Sequence, residues 1–210
     1  MIVLSDTQPV SSGTFRDSYV HPQHSDRCIK VMHAKGLALE RAGRKWWLTG
    51  RRIAASPHDR ELKTLQQLKS SGGLNSGYFP KFYGEVKTDL GRGLCFEWVS
   101  GDDGSEFIRL REWLAYPRRY PQLPTEVVEM QVRKFMEFCI EHDLLSTATR
   151  TENIGFVRRG GEYKLISFDV KYKEERSLIP RSRLFPAFRK QKIRRWVQKT
   201  LDLLDARSGS

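Results

Sequence analysis

The feature that most constrains the fold is the polar segment Ser100–Ser105, SGDDGS, which separates two stretches of different character. Before it, short apolar segments with alternating polarity predict about five strands and one important helix. After it, apolar residues recur at helical spacing, above all in Glu126–His142. We therefore predict an α+β protein with two lobes in a single domain, a small antiparallel-sheet lobe (1–99) and a helical lobe (100–210).

Length and charge narrow the class of protein. The 210 residues can form one good core, or two small lobes that share a cleft. A hydrophobic content of 39% argues against disorder. The net charge of +12 implies an anionic partner, which is nucleic acid, a membrane surface or a phosphate ligand. The alternative is that the charge only keeps a solvated surface soluble.

The sequence also indicates a compartment. The N-terminus, MIVLSDTQPV, has neither a basic segment nor a long apolar run, so we expect no signal peptide and no anchor. The three cysteines, Cys28, Cys95 and Cys139, have no metal-ligand spacing and lie in apolar runs, as reduced core residues do. We expect a cytoplasmic protein.

A magnesium site is predicted around the loop His142–Phe156, HDLLSTATRTENIGF. Asn153 ends this loop, and Asp169 follows a second apolar run, Leu165–Phe168. A hairpin between them would bring an amide and a carboxylate to one hard cation. Magnesium usually takes one or two protein ligands together with waters and phosphate oxygens. The pair therefore indicates a magnesium–nucleotide site; the alternative is that both residues only form turns.

A second group of residues has the composition of a phosphate-covering unit. The turn-rich loop Ser11–Thr14 contains Gly13, and strand-like residues follow in Phe15–Val20 and Arg27–His33. Lys30 lies on the second of these strands. Its ammonium could bind phosphate while amides of the turn face phosphate oxygens. The alternative is a plain β-hairpin with an edge lysine.

Glu61 is the best candidate to orient the ammonium of Lys30. It lies beside an apolar stripe on a helix that is predicted to begin at Ser56-Pro57. A carboxylate at the edge of such a stripe usually points to solvent, but an ammonium that binds phosphate has to be held in place. The stripe consists of Leu62, Leu65 and Leu68, and the apolar centre of the preceding basic segment is Trp46, Trp47 and Leu48.

Two helices and a basic tail are predicted after the linker. The helices are Leu110–Tyr116 and Glu126–His142. The tail, Ser177–Arg207, contains eight Lys or Arg and no acid between Arg181 and Lys199. Such a helix can lie on an anionic membrane or on nucleic acid; the alternative, which we favour, is that its aromatic residues close the core of the second lobe. The long helix and the residues after it are predicted to bury Val127, Met130, Phe135, Phe138, Cys139, Leu144 and Leu145.

Taken in order, these motifs resemble those of protein kinases, over about residues 5–170. CIKV around Lys30 resembles the V-A-I-K motif that binds nucleotide, and ELKTLQQL, which begins at Glu61, resembles the helix of its partner. FEWVSG at Phe96–Gly101 resembles a hinge, which implies that main-chain groups of Glu97–Val99 meet adenine. TATRTENIGF resembles the catalytic loop D-L-K-P-E-N-I-L, and LISFDV resembles the metal-binding D-F-G.

More narrowly, the chain resembles the YrbL family of the PhoP regulatory network. The segments LSDTQPVSSGTFRDSYVHP, RCIKV, RELKTL, FPKFYGEVKTDLGRGLCFE and ENI match the pattern of that family in order. The resemblance implies a cytoplasmic protein with a compact, two-lobed, protein-kinase-like fold.

Two departures from the kinase pattern bear on activity. Counting back from Asn153, Ala148 occupies the position of the catalytic aspartate, and alanine cannot accept a proton from a hydroxyl group. Arg150 occupies the lysine position of the same loop and could still contact a transferring phosphoryl group. Farther on, Val170-Lys171 replaces Phe-Gly, and no A-P-E signature follows. A folded protein substrate held in the ordinary manner is therefore not expected.

Three functions remain open. The first is a pseudokinase-type regulatory module that binds Mg-ATP and a protein partner. The second is an atypical ATP-dependent phosphotransferase that acts on a small or lipid-linked substrate, with Asp169 and Arg150 as its catalytic residues. The third, a basic nucleic-acid-binding protein, rests on charge and the tail alone, since no nucleic-acid-binding motif appears. The residues predicted to bind nucleotide or metal are Gly13, Lys30, Glu61, Glu97, Val99, Asn153 and Asp169.

Overall fold

The computed structural model describes residues 1–38, 56–172 and 186–208. It divides into two units, which are described separately. The first comprises Met1–Leu62 and Pro80–Val99, and the second comprises Lys63–Phe79 and Ser100–Ser210. The predicted apolar centre Trp46, Trp47 and Leu48, and the tail residues Leu184 and Phe185, lie outside the described residues.

The first unit is built on a five-stranded antiparallel sheet with the strand order β1-β2-β3-β5-β4. The central strand β3 pairs with β2 on one side and with β5 on the other. Its second half, Cys28–Met32, is buried, whereas its first residues are exposed. Ile29 and Val31 enter the core cluster, with Lys30 between them in the sequence. The strands are β1 (Ser11–Ser12), β2 (Arg16–His21), β3 (His24–Met32), β4 (Phe82–Thr88) and β5 (Gly91–Glu97).

Helix α1 (Pro57–Ser70) begins where the Ser-Pro signal predicts a helix start. The hydroxyl oxygen of Ser56 accepts a hydrogen bond from the backbone N–H of Asp59 at 3.2 Å, which caps the first turn. The residues of α1 up to Leu62 belong to the first unit, and those from Lys63 onward belong to the second.

The two units differ from the two predicted lobes at Lys63–Phe79. The prediction placed this segment in the lobe 1–99, whereas in the structure it belongs to the second unit. Its contacts within the second unit explain the difference. The side-chain amide of Gln67 donates hydrogen bonds to the backbone oxygens of His142 and Asp143, at 3.2 and 2.9 Å. The rings of Tyr78 and Phe79 pack against those of Phe135 and Phe138.

In the described part of the second unit, three further helices combine with a three-stranded antiparallel sheet. Helix α4 packs on α3, and the sheet has the order β6-β7-β8. The helices are α2 (Leu110–Ala115), α3 (Thr125–Glu141) and α4 (Pro186–Ser208), and the strands are β6 (Ile108–Arg109), β7 (Ile154–Arg159) and β8 (Glu162–Ser167). The predicted α+β class is confirmed, with an antiparallel sheet in the first unit and a largely helical second unit.

Two predicted core residues of α3 are not fully buried. Met130 is 47% exposed, and Val127 is only half-buried, whereas Val128 is fully buried. Val127 and Val128 are neighbours, so the apolar pattern permits two registers near the start of the helix, and the structure uses the second. The residues that α3 buries are Val128, Val132, Phe135, Met136, Phe138 and Cys139.

The three cysteines are free thiols and all are buried, as predicted for core residues. Cys28 and Cys95 lie in the first unit and Cys139 lies in the second. Burial raises the pKa of all three thiols, most strongly for Cys139. In the described part of the chain, no helix has both the length and the hydropathy that a membrane span needs.

Candidate functional site

In the first unit, Lys30 and Glu61 meet as predicted. The ammonium nitrogen of Lys30 lies 3.1 Å from Oε1 of Glu61, although 31 residues separate them. Glu61 is fully buried and Lys30 is nearly so. The same ammonium lies 4.3 Å from the ring centroid of Phe96 on β5. Strand β3 and helix α1 therefore hold the lysine in one place, as the clamp hypothesis requires.

Arg16 is a partner of Glu61 that the sequence analysis missed. Its guanidinium nitrogen Nη1 donates to Oε2 of Glu61, so a cation binds each carboxylate oxygen. Arg16 is also buried. The available sequence signal is its place three residues after Gly13, but there the pattern indicates only a strand residue. We call Arg16, Lys30 and Glu61 the buried charge cluster.

His58 holds the backbone of β3 beside this cluster. It lies one turn before Glu61, and its Nε2 is 3.0 Å from the backbone oxygen of Lys30. Burial, followed by the nearby positive charge of Arg16, lowers the pKa of His58 to about 4. The ring is therefore neutral at pH 7, and Nε2 carries the hydrogen that it donates. Among the described residues, its Nδ1 has no hydrogen-bond partner.

The predicted main-chain contacts to nucleotide are only partly available. The N–H of Gly13 donates to the backbone oxygen of Arg16 at 2.8 Å, so Gly13 shapes the turn between β1 and β2. The N–H of Glu97 donates to the backbone oxygen of Lys81. The N–H of Trp98 donates to the backbone oxygen of Asp26, and both distances are 2.8 Å. Val99 is the next hinge residue along the chain. Nucleotide contacts by Gly13, Glu97 and Val99 stay predictions.

In the second unit, Asn153 joins the loop to the strand end that carries Asp169. Its side-chain nitrogen donates to the backbone oxygen of Thr147 at 2.9 Å and lies 3.4 Å from that of Asp169. Its own backbone oxygen accepts from the N–H of Phe168 at 3.0 Å. The hairpin of β7 and β8, in which Ile154 pairs with Ser167, brings the two segments together as predicted.

Thr147 is a second residue that the sequence analysis missed. Its hydroxyl donates to the backbone oxygen of Asp169 at 2.9 Å and accepts from the N–H of Lys171 at 3.1 Å. Its backbone N–H also donates to the backbone oxygen of Lys171, at 2.9 Å. Thr147 therefore fixes the main chain on both sides of Val170. Nothing in its sequence position signals this role, because the contacts form only when the loop and the end of β8 meet.

Asp169 forms an ion pair with Lys171. The ammonium nitrogen lies 2.8 Å from Oδ2 of the carboxylate, and only 18% of the Asp169 side chain and 20% of the Lys171 side chain are exposed. In the sequence, Lys171 was noted only as the residue that replaces glycine. The structure shows it in contact with the predicted metal ligand.

Ala148 lies in a short 3₁₀ turn, Thr147–Thr149, and is fully buried. Its N–H donates to the hydroxyl of Ser146 at 3.1 Å, and its backbone oxygen accepts from the hydroxyl of Ser167 at 3.2 Å. The position where the kinase pattern has an aspartate is thus packed around a methyl group.

Arg150 follows this turn and is largely exposed. Its guanidinium pairs with Glu152 at 3.1 Å. It also lines a cavity of about 320 Å³ between the loop and α4. The lining of this cavity is Thr147, Thr149, Arg150, Thr151, Glu152, Trp196, Lys199, Thr200 and Leu203.

The oxygen donors of the second unit fit magnesium in kind and number. Asn153 and Asp169 offer an amide and a carboxylate, and magnesium uses one or two such ligands together with phosphate oxygens and waters. No group of three or more His, Cys, Asp or Glu residues in the described ranges could hold a metal alone. A cation here would therefore need phosphate or water as further ligands, and it would meet an aspartate that already binds an ammonium.

The described part of the basic tail buries aliphatic residues. Ile193, Val197 and Leu204 of α4 are at most 5% exposed. The hydroxyl of Thr200 donates to the backbone oxygen of Thr149 at 2.8 Å, which ties α4 to the loop. The tail therefore contributes to the core, but not through its aromatic residues as we favoured: Phe188 is 47% exposed and Trp196 is only half-buried. Contact with an anionic membrane stays a prediction that rests on the exposed basic face.

Comparison with known proteins identifies relatives. A family model described as "PhoP regulatory network protein YrbL" matches residues 2–203. The Escherichia coli (strain K12) protein named "Uncharacterized protein YrbL" is 26% identical over 186 residues, which are 86% of this chain and 77% of that protein. The YrbL protein of Shigella flexneri gives the same values.

Solved structures that are similar to this chain are kinase domains. The Mycobacterium tuberculosis PknI kinase domain has a TM-score of 0.45 and 14% identity, and the match covers 78% of this chain and 57% of that one. A mutant of the same domain has a TM-score of 0.47 and 14% identity, with 81% and 60% covered. This chain thus spans less than two thirds of each, and the likeness is partial.

Proposed function

We propose, from the premise that this chain belongs to the YrbL family of PhoP regulatory network proteins, that it is a kinase-like regulatory protein that binds ATP. In this proposal Lys30 of the first unit binds phosphate oxygens, held by Glu61. Asn153 and Asp169 of the second unit are the residues that would hold Mg²⁺, which supplies positive charge to the phosphates. The protein acts in the cytoplasm through a regulatory protein partner.

The observation that carries the proposal is the buried charge cluster. Removing charged groups from water costs several kcal/mol for each ion, and apolar residues of similar size would often stabilise a fold as well or better. A buried cluster of this kind is therefore weak evidence for a purely structural role. Ionisable groups held by burial and by specific partners are common at functional sites. A role in phosphate binding would explain why a charged lysine is buried in this cluster.

Ala148 is the reason why we propose a regulatory function and not a catalytic one. General-base catalysis typically contributes about 10²–10⁴-fold to a rate. The methyl group of Ala148 offers no base, and it is fully buried between hydrogen-bonded main-chain groups. Weak or absent phosphoryl transfer is the expected result.

A second candidate function is an atypical phosphotransferase for a small or lipid-linked anionic substrate. The observation that favours it is the cavity beside Arg150, because Lys199 of α4 lines the same space. The lining of this cavity of about 320 Å³ also contains Glu152, which pairs with Arg150, so two cations face one carboxylate and the remaining positive charge suits a small anion. Measurable turnover would be required to prefer this candidate.

The experiment is a thermal shift with ATP, with and without Mg²⁺, in the wild type, Lys30→Ala and Lys87→Ala. Binding to the folded state alone stabilises it by about 2.7 kcal/mol at a hundredfold excess over Kd. We expect ATP to raise Tm of the wild type and of Lys87→Ala, which removes an exposed lysine of the same sheet. Lys30→Ala should lose the shift, measured against its own ligand-free Tm. The absence of any shift in the wild type at millimolar ATP would refute nucleotide binding.

A further inference from the structure

We propose that Lys171 acts as a built-in counter-ion at Asp169 and competes with divalent cations for it, so that nucleotide binding depends little on magnesium. The proposal rests on the proposed function, because it concerns Asp169, which that function assigns to magnesium. It is carried by the ion pair in the second unit and by the hydrogen bonds that fix both of its residues.

The ion pair has the geometry of a strong charge-assisted contact. The ammonium of Lys171 is 2.8 Å from Oδ2 of Asp169, within the distance range of N⁺–H···O⁻ hydrogen bonds. About four fifths of both side chains are buried, so water screens the attraction less than at an open surface. The carboxylate thus has a neutralising positive charge that belongs to the chain itself.

The main chain keeps the lysine within reach of the carboxylate. Thr147 bonds to the backbone of Asp169 through its hydroxyl and to the backbone of Lys171 through both its hydroxyl and its N–H. Asn153 adds a contact to the backbone oxygen of Asp169 at 3.4 Å. Because the two residues are fixed relative to each other, little conformational freedom is lost when their side chains pair.

A magnesium ion at Asp169 would have to break or share this pair. Magnesium gives up its waters reluctantly and demands near-ideal geometry. Its two positive charges would also lie next to the displaced ammonium, and repulsion between like charges is substantial in a partly buried site. The neighbouring lysine therefore lowers the affinity of Asp169 for a divalent cation. When no metal is bound, it supplies one positive charge in the same place.

The experiment measures metal binding without nucleotide and nucleotide binding without metal. Manganese binding is followed by electron paramagnetic resonance in the wild type, Lys171→Ala, Lys171→Arg and Lys164→Ala. Lys164 is the matched control, because it forms an exposed pair with Glu162 in the same unit. The affinity for a fluorescent ATP analogue is then measured for each protein in EDTA and in magnesium.

We expect Lys171→Ala to bind Mn²⁺ about tenfold or more tightly than the wild type, because a competing positive charge is removed. Lys171→Arg and Lys164→Ala should behave as the wild type does. The analogue should bind the wild type about equally in EDTA and in magnesium, whereas Lys171→Ala should become magnesium-dependent.

Equal Mn²⁺ affinity in the wild type and Lys171→Ala, including no binding by either, would overturn the proposal. So would tight, magnesium-dependent nucleotide binding by the wild type. If Mn²⁺ binding responds to Lys171→Ala but no protein binds the analogue, competition at Asp169 stands and its link to nucleotide falls with the proposed function.

Discussion

Glu61 binds two buried cations, Arg16 and Lys30, one through each carboxylate oxygen. Glu61→Ala would leave Arg16 and Lys30 buried without the carboxylate that joins them. Removing one partner of a buried ion pair costs about 3–5 kcal/mol. We expect Glu61→Ala to lower the free energy of unfolding by that amount in urea denaturation.

The matched control for this prediction is Glu85→Ala. Glu85 pairs with Arg92 at the surface of the same sheet, where both side chains are more than a third exposed. Exposed pairs contribute about 0–1 kcal/mol, so the control should unfold nearly as the wild type does. Equal losses of unfolding free energy in the two variants would show that the buried charge cluster stabilises the fold no more than an exposed ion pair does.

His58 predicts a pH dependence of stability. Its ordinary pKa of 6.5 falls to about 4 in the fold because the ring is buried. As pH falls below about 6.5 the unfolded chain takes up a proton that the folded chain does not bind until about pH 4. The neutral ring therefore stabilises the fold above about pH 6.5, and up to about 3 kcal/mol of this is lost on the way to pH 4.

The test is Tm against pH for the wild type and His58→Gln. Glutamine at position 58 can still donate to the backbone oxygen of Lys30 but does not titrate, so the slope between pH 6.5 and 4 should flatten. An unchanged slope in His58→Gln would contradict the assignment.

The sequence could predict Lys30 and Glu61 as a pair because each lies in a short local motif. Arg16, Thr147 and Lys171 could not be assigned in this way. Arg16 looks like any arginine at a strand end, and its role appears only when β2 lies beside α1. Thr147 and Lys171 depend on the meeting of a loop with the end of β8, which is a tertiary contact.

At the scale of elements, α4 shows how an amphipathic basic helix can serve the core. Ile193 is 1% exposed, so Ile193→Ala should create a cavity and cost about 2–5 kcal/mol of unfolding free energy. Phe188 lies on the same helix but is 47% exposed, and Phe188→Ala should change stability by no more than about 0.5 kcal/mol. Chemical denaturation of both variants measures the difference. A larger loss for Phe188→Ala would mean that the exposed end of α4 is the packed one.

The long elements could be predicted from periodicity and the short ones could not. Helices α1 and α3 have capping or apolar patterns over many residues, and these patterns predict the start of α1 and both ends of α3 to within one residue. The two-residue strands β1 and β6 have no pattern of their own. They exist because β2 and β7 lie beside them. The register of α3 was missed at Met130 because adjacent valines make its apolar stripe ambiguous.

At the scale of the whole molecule, the open choice between regulation and catalysis is tested by Ala148→Asp. We expect little ATP turnover by the wild type and no large increase in the variant, because the new carboxylate would be buried among bonded main-chain groups. The same substitution should lower the free energy of unfolding by about 2 kcal/mol or more. Ala115→Asp, at an exposed end of α2, is the control for an added carboxylate.

Two outcomes would favour the phosphotransferase instead. One is wild-type turnover that Asp169→Ala abolishes. The other is a rise of about 10²–10⁴-fold in Ala148→Asp, the range of a restored general base.

The three buried cysteines can report when each unit of the chain opens. A thiol reagent attacks the thiolate, and burial both shields these sulfurs and keeps them protonated. Labelling therefore has to wait for the surrounding structure to open. Since Cys28 and Cys95 report on one unit and Cys139 on the other, the order in which they acquire label, read by peptide mass spectrometry, would time the opening of each unit without an engineered probe.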